Sequence, residues 1–270
     1  MKKSIINKGV LLSLGSFVAL NGFARQGQEL QMPNIVFIFA DDMGYGDVSA
    51  LNENSKLQTV NIDRIMDEGV VFTDAHTSSS VSTPSRYSLL TGRYNWRSEG
   101  VLNGYSKSLI RPDRRTIAHV LRDNGYTTAC IGKWHLGWNW NNIENGTDKV
   151  DFSKSVTEGP TTHGFDYFYG ISGSLDMAPY VYLENDKPTA LPNRVTGNKE
   201  KFSWWREGPT ASDFVHEQVL PNFIDRAVCY IKDKADGEQP FFLYLPLPAP
   251  HTPILPVKEY QGKSGLNPYG

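Results

Sequence analysis

The chain has 270 residues, with 27 basic and 29 acidic side chains and a formal net charge of −2. This near-neutral balance argues against non-specific nucleic-acid binding, and two cysteines are too few for a scaffold built on disulfides. We expect Cys130 and Cys229 to be separate small core residues, with a disulfide between them as the alternative.

The first 24 residues are typical of a secretory signal peptide. Lys2, Lys3 and Lys8 lie around the start of an apolar core at residues 9–20, and small residues before and at Ala24 offer a cleavage site. The core is too short to span a bilayer in the usual way. The prediction is therefore a secreted, periplasmic protein without a membrane span. Removal of the segment takes the net charge from −2 to −5, because three lysines and no acidic residue are lost.

The rest of the chain alternates strand-like and helix-like segments. Apolar runs of strand length predict strands at residues 34–40, 70–73, 126–131 and 241–245. The first of them is typical of a parallel strand covered on both faces. Helical spacing and end signals predict helices at residues 59–68, 82–92 and 115–124 and a fourth that opens at Pro221. This alternation predicts an α/β fold with a mostly parallel central sheet flanked by helices.

Residues 139–211 differ from the rest of the chain. They are rich in Gly, Asn, Thr, Trp and Tyr and show little periodicity. We predict long loops and short strands over the carboxyl edge of the sheet, where ligands bind in such folds.

Residues 82–93 carry the most informative pattern in the chain. Pro84 suits a first helical turn and Gly92 suits a helix exit, which puts Ser82 at or just before a helix N-terminus. The unpaired N–H groups there favour an anion, and Arg86, one turn later, can donate two hydrogen bonds to it. The segment predicts attack by a Ser82-derived group on a tetrahedral oxyanion such as sulfate or phosphate.

Asp41 and Asp42 follow the first predicted strand at its carboxyl end. Two adjacent carboxylates repel each other, so their position favours a cation between them, with a solvated acidic loop as the alternative. Oxygen ligands indicate calcium or magnesium rather than zinc. Calcium takes about six to eight oxygens, so further ligands must come from elsewhere.

Two further segments follow predicted strands. Lys133 and His135 alternate between glycines, so that on an extended segment both face one side, where they can line an anion pocket. His251 lies between prolines that hold it in a rigid turn, either as a structural loop residue or as an acid that serves the leaving group.

Together these segments closely resemble the motifs of the type I sulfatases, within the alkaline-phosphatase-like superfamily. The resemblance covers nearly all of residues 33–270, and its motifs are residues 34–47 (NIVFIFADDMGYGD), 82–93, 132–137 (GKWHLG) and 249–253 (APHTP). It implies an alkaline-phosphatase-like fold and the removal of sulfate from a sulfated carbohydrate or aryl ester.

The resemblance also implies a modified nucleophile and a metal ion. In sulfatases the residue at the Ser82 position is oxidised to formylglycine, whose hydrate attacks sulfur. Calcium, or magnesium in its place, would be held by Asp41, Asp42 and the oxygens of modified Ser82. A serine here is similar to the anaerobic bacterial branch, in which a radical-SAM maturase makes the conversion.

By the same resemblance, Arg86 and Lys133 hold the hydrate and the sulfate charge. His135 takes the proton that must leave when sulfate is expelled. His251 protonates or stabilises the departing oxygen of the alcohol.

In the family, an Asp-Asn pair that completes the metal site and a further sulfate-binding lysine lie downstream of the matched segment. A smaller carboxyl-terminal domain with an antiparallel sheet follows them. We therefore interpret residues 25–270 as an amino-terminal catalytic domain truncated on its carboxyl side, and we expect it to be inactive alone.

Two alternatives stay open. One is a phosphate or phosphonate monoester hydrolase of the same superfamily. Two segments favour a sulfatase over this alternative: Leu-Leu-Thr-Gly-Arg at residues 89–93 and Gly-Lys-Trp-His at residues 132–135. The other is a non-catalytic binder of sulfated glycans, with sugar platforms drawn from the loop tryptophans Trp96, Trp138, Trp140, Trp204 and Trp205.

Several other residues have expected positions. Residues 164–170 should pack, and Ser174 falls near the place of a sulfate-contacting hydroxyl in some arylsulfatases. Of the remaining histidines, His76 and His119 are expected to pack, whereas His163 and His216 are expected to be exposed.

Overall fold

A six-stranded sheet organises the computed structural model, which describes residues 32–270 apart from Glu99, Val101, Asn103, Ser106 and residues 142–149. The predicted signal peptide, residues 1–24, lies outside the described residues. In sequence order the sheet contains β1 (Ile35–Asp41), β2 (Thr127–Lys133), β3 (Tyr167–Ile171), β4 (Leu183–Glu184), β5 (Lys187–Pro188) and β8 (Phe241–Pro250). A separate antiparallel hairpin contains β6 (Pro192–Asn198) and β7 (Trp205–Ala211).

The spatial order of the sheet is β1-β8-β2-β3-β4-β5. The first four strands run parallel, and the short β4 and β5 pair antiparallel at the other edge. The last strand in sequence, β8, thus lies between the first two. Because the parallel strands share one direction, β1, β8, β2 and β3 place their carboxyl ends at the same edge.

Four α-helices accompany the sheet: α1 (Val60–Glu68), α2 (Ser82–Thr91), α3 (Ile117–Asp123) and α4 (Val219–Ala235). The signature helix α2 ends where Gly92 takes a left-handed φ of 63° and donates its N–H to the Ser88 carbonyl. Thr116 caps α3 by accepting the His119 N–H. The long helix α4 packs on β8 and β2 through Val219, Phe223 and Ala227.

The core surrounds the two central strands. Every residue of β2 after Thr127 is buried, and so are the first six residues of β8. Two glycines, Gly132 and Gly170, let the strands approach closely near the carboxyl edge of the sheet. A Cβ at Gly132, where φ is 137°, would lie 2.1 Å from the Pro246 carbonyl oxygen, and one at Gly170 would lie 1.9 Å from the Gly132 oxygen.

The α/β class and the parallel strands match the prediction, but two details of the first region do not. The strand β1 is not covered on both faces; it is an edge strand, and Val36, Phe37 and Ile38 are exposed. The strand predicted at residues 70–73 is absent from the described structure, where Val70 and Phe72 are about four-fifths exposed. Apolar runs indicate strands only where a neighbour pairs with them.

The histidine predictions need three corrections. His76, expected to pack, is exposed and bonds only Asp74 among the described residues. His163 and His216, expected at the surface, are buried. His163 stacks on Trp134 and hydrogen-bonds Ser108, while His216 stacks on a tryptophan of β7. Burial lowers the pKa of each buried ring to about 4.

The cysteines are both free, as expected. Cys130 is fully buried in β2, whereas Cys229 is exposed on α4, so the prediction that it is a core residue is wrong. Residues 164–170 pack as expected, with Phe165 and Phe168 fully buried. No helix among the described residues is long and apolar enough to cross a membrane.

Candidate active site

The polar residues predicted for a site meet at the carboxyl edge of the parallel sheet. Asp41 ends β1, Lys133 ends β2, and His251 follows the end of β8. The helix α2 begins at Ser82, so its N-terminal turn faces the same place. The order of the strands therefore brings together residues that are up to 210 positions apart in the sequence.

The Ser82 hydroxyl lies between a cation and an imidazole. Arg86 donates its Nε–H to Ser82 Oγ over 2.8 Å, and His135 Nδ1 lies 3.2 Å from the same oxygen. Arg86 is fully buried, donates an Nη1–H to the Lys133 carbonyl oxygen and covers the ring of Phe39 at 5.2 Å. These contacts fix the guanidinium, so its position beside Ser82 is set by the core.

A buried ion-pair cluster lies next to Ser82. The carboxylate of Asp41 contacts Arg86 Nη2 at 3.3 Å and accepts a hydrogen bond from Lys133 Nζ. Burial alone would raise the pKa of Asp41, but the two cations outweigh it and lower that pKa below its usual value. Burial also lowers the pKa of Lys133, to about 8, although Asp41 opposes the shift.

His135 is buried beside the two cations. Burial, and then the charges of Lys133 and Arg86, lower its pKa well below the usual histidine value, so its ring is neutral at neutral pH. Its backbone has a positive φ of 55°. Gly104 lies against the ring, since a Cβ there would lie 2.1 Å from His135 Nε2.

A chain of polar contacts links the lysine to the second aspartate. Lys133 Nζ donates to Ser174 Oγ over 3.2 Å, and Ser174 Oγ lies 3.0 Å from His251 Nδ1. The other ring nitrogen of His251 lies 3.7 Å from a carboxylate oxygen of Asp42. Asp42 is 64% exposed at its side chain, so this end of the cluster is open to solvent.

The structure thus brings all seven predicted site residues into one contact network, which also contains Ser174. Two further residues at the site, Gly104 and Asp176, were not predicted. Asp176 lies close enough to Lys133 for its carboxylate to raise that pKa. Neither residue belongs to a motif with a chemical interpretation, and each reaches the site through a loop.

Part of the cluster suits a hard cation. Asp41, Asp42 and Ser82 offer oxygen atoms only, which is the donor chemistry of calcium or magnesium. Among the described residues, however, no group of three or more His, Cys, Asp or Glu side chains could hold a metal ion. These oxygen donors are of the type that such a cation prefers, but they are fewer than the roughly six to eight oxygen ligands that calcium takes.

The fold and the site together define a class. A mostly parallel sheet whose carboxyl edge holds a serine at a helix N-terminus, two buried cations and two carboxylates is an α/β oxyanion-binding architecture of the alkaline-phosphatase-like kind. Residues 33–267 match the model of the sulfatase family, so the chain belongs to that family.

Curated relatives and solved structures agree with this assignment. The chain is 37% identical to N-acetylgalactosamine-6-O-sulfatase of Bacteroides thetaiotaomicron over 90% of its length and 53% of the relative's. It is 32% identical to arylsulfatase G of Mus musculus, with 89% and 45% covered.

A solved structure from work on the metabolism of multiple glycosaminoglycans by Bacteroides thetaiotaomicron superimposes with a TM-score of 0.76 at 32% identity. The match covers 88% of this chain and 55% of that one. The chain therefore spans about half the length of the relatives it matches.

Proposed function

We propose that the protein with this chain is a sulfuric ester hydrolase that removes sulfate from a sulfated carbohydrate. The observation that carries the proposal is the position of Ser82, whose Oγ contacts Arg86 and His135 at a helix N-terminus in a pocket that also holds Lys133. The family assignment of residues 33–267 supports sulfate rather than phosphate as the group transferred.

The two cations bind and orient the substrate's sulfate group. Arg86 is fixed by its contacts with Asp41 and the Lys133 backbone, so little side-chain entropy is lost when it meets an anion. Lys133 is held by Asp41 and Ser174, and the Asp41 carboxylate keeps it charged near neutral pH despite burial. We propose that Ser174 positions this ammonium group.

His135 moves the proton at Ser82. Its neutral Nδ1 faces Ser82 Oγ and can accept a proton there. Burial, and then the repulsion of the two neighbouring cations, lower the pKa of His135 and so disfavour the charged imidazolium. A bound sulfate would offset that repulsion and raise the pKa of His135, so proton transfer is tied to an occupied site.

His251 lies at the open end of the pocket, between Ser174 and Asp42. We propose that it holds the proton that the departing alcohol oxygen receives. The carboxylate of Asp42 lies 3.7 Å from the other ring nitrogen, Nε2, and the Ser174 hydroxyl lies 3.0 Å from Nδ1, so both ring nitrogens have polar neighbours.

The proposal includes a metal ion and a formylglycine, both typical of the family. Asp41, Asp42 and modified Ser82 would contribute ligands to a calcium or magnesium ion, which when bound supplies a positive charge that acidifies a bound oxygen. We propose that a radical-SAM maturase oxidises Ser82 to formylglycine, and that residues 1–24 direct export to the periplasm.

The relative at 37% identity narrows the substrate class. Because that protein is named an N-acetylgalactosamine-6-O-sulfatase, we propose a 6-O-sulfated N-acetylhexosamine within a glycan as the substrate.

The test combines mass spectrometry with paired assays on the protein purified from its native host. The peptide that contains Ser82 should be two mass units lighter than the unmodified peptide. The protein should hydrolyse an aryl sulfate, and lose that activity with Ser82→Ala, while the matching aryl phosphate stays intact. An unmodified serine with full aryl-sulfate hydrolysis would refute the formylglycine mechanism, and faster hydrolysis of the phosphate would refute the sulfatase proposal in favour of a phosphatase.

A further inference from the structure

Arg206 of β7 is attached to the wall of the candidate active site. Its guanidinium pairs with the carboxylate of Asp176, and its backbone N–H donates to the Asp176 carbonyl oxygen over 3.2 Å. Asp176 follows Ser174 by two residues and acts on the pKa of Lys133. A short, well-bonded segment therefore joins Arg206 to the pocket that holds the sulfate-binding lysine.

Two aromatic rings hold the same guanidinium. Its central carbon lies 4.8 Å from the ring centre of Trp204 and 5.9 Å from that of Tyr105. Tyr105 directly follows Gly104, which lies against His135. Arg206 is thus supported from both sides by segments that border the site, yet its side chain stays 46% exposed.

Arg206 also lines a cavity of about 300 Å³. Its walls come from both strands of the β6–β7 hairpin and include Val195, Lys199, Trp204, Trp205, Arg206 and Glu207. The volume is at the lower limit of about 300–1,000 Å³ for small-molecule sites. Indole surface, one exposed acid and two cations make a lining that is aromatic and mixed in charge.

The chemistry of this lining fits a sugar ring. The apolar face of a pyranose packs on an indole. Its hydroxyls can donate hydrogen bonds to the Glu207 carboxylate and accept them from Arg206 and Lys199. The charges of the lining and of Asp176 nearly cancel, which gives an anionic ligand little advantage over a neutral one. Trp138 is buried, and the partly buried Trp140 packs edge-on against it and against Phe152.

We propose that the cavity lined by Trp204 and Arg206 binds a neutral sugar ring of the glycan, adjacent to the residue that carries the sulfate ester. That adjacency rests on the proposed function, but sugar binding in the cavity does not. Trp204 stacks on the ring, and Arg206, held by Asp176, donates to a hydroxyl. The pair determines which glycan presents its ester to Ser82.

The experiment measures binding of unsulfated N-acetylgalactosamine to the chain by saturation-transfer NMR and titration. Because the unsulfated sugar can also bind at the Ser82 site as a reaction product, the cavity is tested by the loss of binding in the Trp204 and Arg206 variants and not by the signal of the parent chain alone. Trp204→Ala should weaken binding about tenfold and Arg206→Gln by several-fold, since each loses one aromatic or hydrogen-bonded contact. Circular dichroism establishes that each variant is folded, and Trp204→Leu replaces Trp204→Ala should the latter fail to fold.

Matched controls come from the same molecule. Trp96→Ala removes an exposed tryptophan that stacks on Tyr94 outside the cavity. Arg226→Gln removes another arginine that pairs with a carboxylate, Glu184, and covers an aromatic ring. Both controls, and Ser82→Ala, should bind within twofold of the parent chain.

The outcomes separate the two proposals. Binding that depends on Trp204 and Arg206, together with no sulfate hydrolysis by the protein purified from its native host, would keep the sugar site and reject the sulfatase proposal. Absence of binding by the parent chain, or equal effects of Trp204→Ala and Trp96→Ala, would reject the sugar site and leave the sulfatase proposal to its own test.

Discussion

The neighbouring strands β1 and β8 have similar apolar sequences and opposite environments. In β8 the first six residues are buried, because β1 and β2 flank the strand and α4 packs against it. Among the described strands only β8 pairs with β1, and three successive apolar residues of β1 are exposed. Ile38 and Leu245 face each other across the ladder, yet 56% of Ile38 and 4% of Leu245 is exposed. Position in the sheet, not composition, decides burial.

The contrast continues along β1 itself. Its amino-terminal half presents apolar side chains to solvent, whereas its last residue, Asp41, is buried in the ion-pair cluster. Large exposed apolar residues are concentrated in the first third of the described chain and include Val36, Phe37, Ile38, Val60, Ile62, Ile65, Val70, Val71 and Phe72. Asp41 is therefore packed more tightly than the strand that ends in it.

The largest change in stability is expected from a substitution at Asp41, the buried end of β1. Asp41→Ala leaves Lys133 and Arg86 buried without their counter-charge, so the free energy of unfolding should fall by about 3–5 kcal/mol. Asp42→Ala, next in sequence but exposed, should cost less than about 1 kcal/mol. Urea unfolding measures both, and equal losses would contradict the view that only one of the two carboxylates is needed for stability.

The next largest effect on stability is expected at Leu245, which pairs with Ile38 across the ladder. Leu245→Ala opens a cavity between packed strands and should destabilise the fold by about 2–5 kcal/mol. Ile38→Ala removes the same number of side-chain carbons from a mostly exposed position and should cost less than about 1 kcal/mol. Thermal unfolding under identical conditions compares them. Similar losses would mean that β1 is covered in solution.

The buried histidines predict a smaller, pH-dependent effect. His163 and His216 have folded-state pKa values of about 4, below the unfolded value of about 6.5. Between pH 6.5 and 4 the unfolded chain binds more protons, so stability falls as the pH falls, by up to about 1.4 kcal/mol per unit for each histidine. His216→Phe should flatten this slope and exposed His76→Phe should not. A slope unchanged in His216→Phe would mean that this ring titrates normally in the folded state.

The smallest effect concerns the exposed apolar region. Phe72→Lys should change the free energy of unfolding by no more than about 0.5 kcal/mol, because the ring makes few contacts in the folded state. It should lower the binding of a hydrophobic dye and the tendency to self-associate. A marked loss of stability would show that Phe72 is packed in solution.

Most of the candidate site could be predicted because its residues obey a local rule. Asp41, Lys133 and His251 each follow an apolar strand, and parallel strands end at one edge. Ser82 was placed by Pro84 and Gly92, which are helix start and stop signals, and α2 does begin at Ser82. Their catalytic and metal-binding roles stay predictions.

The remaining features depend on packing between distant segments. Nothing local in the sequence shows that β8 lies between β1 and β2, and without that order the exposure of β1 cannot be foreseen. His163 and His216 are buried by rings from elsewhere in the chain. Arg206 reaches the site only because a hairpin brings it to Asp176.

The insertion of β8 between β1 and β2 also dictates when the site can exist during synthesis. The first two strands do not pair with each other, so the sheet stays divided until residues 241–250 have left the ribosome. Limited proteolysis of nascent chains arrested before and after residue 250 should show protection near Ser82 only in the longer ones. Until residue 250 has left the ribosome, Ser82 would then remain on a stretch of polypeptide that a modifying enzyme can reach, and pocket formation would close that interval.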